Sequence, residues 1–105
     1  MPTIPEIFAE MPNRYVTDKV TADTSYYFSI GEHKYTLIAK PTECIVLEGK
    51  QVDNADCVIV SDPGVFINLV INGRRPSSMD LLRKRFKASD LSRLMLLNDI
   101  FALQL

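Results

Sequence analysis

The chain has 105 residues, a length that closes one hydrophobic core and leaves nothing for a second, so residues 1–105 are expected to form a single domain. With 47% hydrophobic and 24% charged residues, the composition excludes wholesale disorder, and no run approaches the roughly 20 apolar residues of a membrane-spanning helix. Net charge is −1, but seven bases and two acids between Arg74 and Arg93 give that segment +5 and leave −6 for the rest, a basic stretch on an acidic body that suits an anionic partner.

The N-terminus, Met1-Pro2-Thr3-Ile4-Pro5-Glu6, has neither a basic start nor an apolar run. This predicts no secretory signal and a cytoplasmic protein. Ile4, Ile7, Phe8, Met11, Tyr15 and Val16 then recur at helical spacing, interrupted by Pro12, which predicts two short helical turns. Ser25 to Ile30 alternates, with Tyr26, Phe28 and Ile30 on one face, and reads as a half-buried strand. Gly31-Glu32-His33 turns the chain into a second alternating run, in which Tyr35, Leu37 and Ala39 share a face. Pro41-Thr42 turns it again into Glu43 to Leu47, closed by Gly49. Three short strands with tight turns predict an antiparallel meander.

A polar loop, Gly49 to Asn54, precedes a fourth strand over Ala55 to Val60. Ser61-Asp62-Pro63 then reads as a helix start, because a capping side chain satisfies free amides and proline has none to lose. That helix carries Val65, Phe66, Ile67, Leu69, Val70 and Ile71, and Gly73 can stop it. Pro76-Ser77-Ser78 starts another short helix with Met79, Leu81 and Leu82, leading to a brief extended piece at Phe86 to Ala88. Ser89 or Asp90 caps a last helix that runs to about Gln104.

The two later helices carry apolar residues on more than one side. In the last, Leu91, Leu94, Met95, Leu97 and Phe101 make one face, while Leu96, Ile100 and Leu103 lie well round from it. A helix laid on a sheet in a two-layer domain buries one side, and three exposed large aliphatic side chains would each forgo on the order of 1.5 to 3 kcal/mol. The second side therefore needs a cover: a bound lipid, a second copy of the chain, or the N-terminal segment.

Other chemistry is thinly represented. His33, the one histidine, falls in a turn between Glu32 and Lys34. Cys44 and Cys57 sit in apolar strands without metal or redox spacing and read as reduced core residues. No glycine-rich phosphate loop follows a strand, and no Cys/His/Asp/Glu cluster has ligand spacing. Phe86 is the one ring in the basic segment, which argues against stacking on nucleic acid. These features predict a non-enzyme with no catalytic residue, no metal, no cofactor and no nucleic-acid partner.

Taken together, Ala55-Asp56-Cys57-Val58-Ile59-Val60-Ser61-Asp62, Phe66 to Gly73, Pro76, Arg85-Phe86-Lys87 and Asp90 to Phe101 resemble the sterol carrier protein type 2 family, and the helical turns and meander of the first half fit it too. The resemblance covers essentially the whole chain. It implies an α+β fold with a five-stranded, mostly antiparallel sheet covered by helices, and a hydrophobic tunnel for a sterol, fatty acid, acyl-CoA or phospholipid. Mapped element by element, the tunnel wall would be Phe66, Leu69, Val70, Leu82, Phe86, Leu94, Met95, Leu97, Ile100 and Phe101, with a lipid headgroup near Arg83, Lys84, Arg85 and Lys87. Where the family commonly has glycine before the last strand and just before the Asp, this chain has Arg83-Lys84 and Ser89, which implies a changed turn. The sequence stops at Leu105 without a Ser-Lys-Leu signal, so a stand-alone prokaryotic relative is expected. The expected function is lipid binding or transfer, with transient contact to an anionic membrane surface. The alternative is a homodimerising or adaptor domain, accessory to an enzyme of lipid or quinone metabolism.

Overall fold

The computed structural model describes residues 3–17, 20–72 and 77–100. Helix α1 (Ile4–Glu10) starts on a capping box in which Thr3 Oγ1 accepts from the Glu6 amide and the Glu6 carboxylate accepts from the Thr3 amide. Two orphan donors at the helix start are thereby satisfied. A 3₁₀ turn, Met11–Arg14, follows with Pro12 at its start, where proline lacks no amide that the turn needs.

Strands β1 (Thr24–Ile30), β2 (His33–Ala39) and β3 (Cys44–Glu48) make the expected antiparallel meander. Gly31, at φ +59°, sits first in the two-residue β1–β2 turn, where a side chain would be strained. Strand β4 (Cys57–Ser61) runs parallel to β1, and β5 (Phe86–Ala88) pairs antiparallel with β4. The sheet order is β3-β2-β1-β4-β5. With three antiparallel pairings and one parallel, the fold is α+β with a mostly antiparallel sheet.

Register sorts the side chains into two faces. Tyr26, Phe28 and Ile30 of β1 align with Leu37, Tyr35 and His33 of β2, and with Cys57, Ile59 and Ser61 of β4. This face holds the core. Tyr27 aligns with Thr36, Val58 and Leu47 on the opposite face. The β3–β4 connection crosses that opposite face. There Thr36 Oγ1 donates to the Gly49 carbonyl at 2.7 Å and accepts from the Gln51 amide at 2.9 Å, and Lys50 Nζ lies 5.7 Å from the Tyr27 ring centroid. Thr36 is consequently buried on what would otherwise be an open sheet surface.

Helices α1, α2 (Pro63–Asn72) and α4 (Leu91–Ile100) all meet the core face. Asp62 starts α2, its Oδ1 accepting from the Gly64 amide at 2.9 Å, and Asp90 starts α4, its Oδ1 accepting from the Arg93 amide at 3.0 Å. Both side chains act as N-caps where the sequence places them. Sheet bonds fix the first turn of α4: Tyr26 Oη–H donates to the Arg93 carbonyl at 2.8 Å, and Cys57 Sγ–H to the Asp90 carbonyl at 3.6 Å. Gly73 as a helix stop, Pro76 as a helix start and the continuation of α4 to Gln104 lie outside the described residues.

Candidate functional site

The core face carries an aromatic cluster and a mainly aliphatic remainder, its aliphatic half, in which Phe86 and Tyr26, the latter stacked on Phe28 at 6.2 Å, are also buried. Phe8 of α1 stacks on Tyr35 with centroids 4.2 Å apart, meets Phe28 edge-on at 5.0 Å and stacks on Phe66 of α2 at 5.7 Å. Phe28 and Phe66 close the cluster edge-to-face at 5.9 Å, geometries that aromatic quadrupoles favour. Of the three covers open to the second side of α2, the N-terminal segment thus takes the part around Phe66.

The other half is looser. Val70 of α2 and Phe86 of β5 are buried, while Ile67, Leu69, Leu94 and Leu96 are half-buried and pack against the core. Met95 points away and is 62% exposed. Residues 94 and 96 lie about 200° apart around a helix axis, so Leu94 and Leu96 reach the core from either side of the outward line that Met95 marks. This differs from the sequence reading, which put Leu94 and Met95 together and Leu96 apart. Four apolar residues in a row, Leu94 to Leu97, leave periodicity with little to fix rotation, and the bond from Tyr26 to the Arg93 carbonyl helps to set it instead. Phe101 lies outside the described residues, as do the side chains of Leu97 and Ile100.

Leu82 is not beside the core. It is 77% exposed at the end of α3 (Ser78–Leu82), on which Met79 is also 52% exposed. Ser77 caps this helix, its Oγ accepting from the Asp80 amide at 3.1 Å while the Asp80 carboxylate accepts from the Ser77 amide and hydroxyl. After α3 the amides of Arg83 and Arg85 donate to the carbonyls of Met79 and Asp80 at 2.9 and 2.8 Å. Lys84, between them, takes φ +58°. The left-handed backbone that glycine would adopt freely is therefore imposed on a lysine. The Arg85 carbonyl accepts from the Asp62 amide at 2.7 Å, which ties this turn to the start of α2. Arg83, Lys84, Arg85 and Lys87 are all exposed.

Titratable groups inside the fold are held neutral. Burial pushes the Cys44 thiol up to about 12, and it raises Cys57 and the Tyr26 hydroxyl as well. Both cysteines are free and buried, so as thiols rather than thiolates they are poor nucleophiles near neutral pH. Asp80 and Asp90 are held below the ordinary carboxylate range, first by the backbone amides of Ser77 and Arg93 respectively. Among the described residues no three His, Cys, Asp or Glu side chains are grouped to hold a metal, and no helix is long and apolar enough to cross a membrane. What the arrangement offers is apolar contact area beside a cationic turn. The sequence reading missed Met79, Ile67 and Leu96 as contributors; each carries an apolar signal, but which way each faces depends on tertiary contacts.

By sequence, no family model matches the chain and no curated protein matches it. Solved structures do. The stereoselective inverting sec-alkylsulfatase Pisa1 from Pseudomonas sp. superposes over 95% of this chain with a TM-score of 0.79 at 14% identity, and the chain spans 16% of that enzyme's length. A ubiquinone synthesis protein described as UbiJ-SCP2 superposes over 92% of this chain and 89% of its own, with a TM-score of 0.61 at 14% identity. The chain therefore has the fold of the sterol carrier protein type 2 domain.

Proposed function

We propose that this chain is a non-catalytic module that binds a lipid-like molecule, its tail against the aliphatic half of the core and its head near the basic turn. The observation that carries the reading is the incomplete cover over that half. Ile67, Leu69, Leu94 and Leu96 remain half-buried against a closed core, so a hydrocarbon chain laid there removes further apolar surface from water. Val70 and Phe86 would form the floor, and the sequence reading adds Leu97, Ile100 and Phe101 to the wall. The bases Arg83, Lys84, Arg85 and Lys87 suit an anionic or polar head, and desolvation of the tail supplies the affinity.

The fold shared with a ubiquinone synthesis protein favours one more specific version, in which the bound molecule is a polyprenylated ring and the module serves an enzyme that modifies it. Solvent extraction of the purified chain followed by mass spectrometry tests both. Expected is a lipid or prenylated quinone in a fixed ratio to protein, and apolar probes that compete for it. A chain that purifies without lipid, takes up no fatty acid or quinone in solution and forms a concentration-independent dimer would overturn the reading in favour of an assembly module.

A further inference from the structure

We infer that the α3–β5 turn is a docking surface for anionic lipid bilayers, with Met79 and Leu82 entering the headgroup region and Arg83, Lys84 and Lys87 facing the lipid phosphates. Met79 and Leu82 stand three residues apart on one helix and so share a face. That face is turned outward, at 52% and 77% exposure, although each residue would be stabilised by burial. Bases surround it. Arg85 has an ion-pair partner, Asp80 at 3.9 Å, whereas Arg83, Lys84 and Lys87 make no ion pair among the described residues.

Charge selects the occupant. Residues 77–88 carry four bases and one acid, +3, against −4 for the remainder of the chain, so an anionic surface attracts this turn more than the rest, which favours one orientation as well as adding affinity. A second copy docked turn to turn would bring like charges together. Nucleic acid would find no ring to stack on, since Phe86 is buried. Exposed aliphatic tips flanked by bases are the composition of interfacial lipid contacts. Lys84, at φ +58°, is the left-handed residue that ends α3, a position where glycine would fit without strain and where this chain keeps a base.

The surface extends the proposed lipid-binding role by naming where exchange with a bilayer would occur, but docking needs no internal ligand, so either reading can fail alone. The test is sedimentation of the intact protein with vesicles of phosphatidylcholine, with and without phosphatidylserine, read beside thermal melting. Wild type should bind the anionic vesicles and be released by salt, because surface attractions beyond about 10 Å are screened at 0.1 M. Lys84→Gly separates docking from stability. It should weaken binding about fivefold, the share of one base at an anionic surface, while raising the melting temperature by about 4 to 8 °C through relief of backbone strain. Leu82→Asp should abolish binding with the fold intact, and Lys50→Gln, on the β3–β4 connection, should leave it unchanged. Equal binding by wild type and Lys84→Gly, indifference to phosphatidylserine, or stronger retention by soluble polyglutamate than by vesicles would overturn the proposal, the last in favour of an acidic protein partner.

Discussion

Replacing Phe8 by alanine removes the residue on which the cover of the core depends. Its ring is 1% exposed and touches three others, Tyr35 at 4.2 Å, Phe28 at 5.0 Å and Phe66 at 5.7 Å. Truncating a buried Phe costs about 3 to 5 kcal/mol, the lost transfer energy plus the cavity left behind. Partial collapse would favour the lower end. Against it, α1 has seven residues, far too few to stay helical without tertiary contacts, so losing its anchor releases Ile4 and Ile7 too. We therefore expect about 4 kcal/mol, a large share of the roughly 5 to 15 kcal/mol that holds a domain together. Urea unfolding followed by far-ultraviolet circular dichroism should show the midpoint fall with little change in slope. Phe8→Leu, which keeps most of the volume, should lose about 1.5 kcal/mol or less. A loss below about 1 kcal/mol for Phe8→Ala would mean that the aromatic stack does not close the core as described.

Gly31→Ala should destabilise by about 1 to 3 kcal/mol in the same assay, since φ is +59° and the added Cβ would come within 2.8 Å of Pro63 Cγ. Thr36→Val keeps the shape but loses the hydroxyl's two bonds, to the Gly49 carbonyl and from the Gln51 amide, a loss of about 1 to 3 kcal/mol for the pair accompanied by faster amide exchange in the β3–β4 connection. Cys44 and Tyr26 are raised in the fold, so their stabilisation is complete below their unfolded values and is lost as pH rises. Melting temperature should decline from pH 9.0 upward for Cys44, whose folded value is about 12, Cys44→Ala should flatten that decline, and neither thiol should react with Ellman's reagent before unfolding. Leu94→Gln distinguishes wall from core. Lost co-purifying lipid with a small stability change places Leu94 against the ligand, whereas a large stability loss with lipid retained places it in the protein's own packing.

Much of the sheet was legible because its signal is local. Alternation in β1 and β2 sorts Tyr26, Phe28, Leu37 and Ala39 to one face, and Gly31 stands where the hairpin demands a positive φ. The N-caps were legible for the same reason, since Asp62 and Asp90 bond amides two and three residues away. The site was less so. Whether Leu94, Met95 or Leu96 faces inward depends in part on the Tyr26–Arg93 bond, which joins residues 67 apart. Likewise Leu82, apolar and helical, reads as wall in the sequence, yet the Ser77–Asp80 cap and the turn at Lys84 turn it to solvent. At Lys84 itself the missing glycine was visible and a changed turn expected; the backbone instead keeps a glycine-like conformation and strains the lysine.

The division of the core bears on how a ligand could be held. Rings that stack in defined geometry resist rearrangement, because each offset contact is lost if one ring moves, so the end built from Phe8, Phe28, Tyr35 and Phe66 is poorly suited to admit a guest. Aliphatic side chains adapt at less cost, and the half-buried Ile67, Leu69, Leu94 and Leu96 belong to two helices, α2 and α4, rather than to the hydrogen-bonded sheet. The first turn of α4 is bonded to the sheet through Tyr26 and Cys57, and the start of α2 is bonded to the basic turn through Asp62 and Arg85. A molecule in contact with both helices would thus act on elements whose N-terminal ends are fixed, and one of those fixed ends adjoins the turn proposed to meet the bilayer. Contact at that turn and occupancy of the aliphatic half are for this reason expected to be coupled, so that lipid loading is faster from anionic vesicles than from neutral ones and Lys84→Gly slows it without altering what is finally bound.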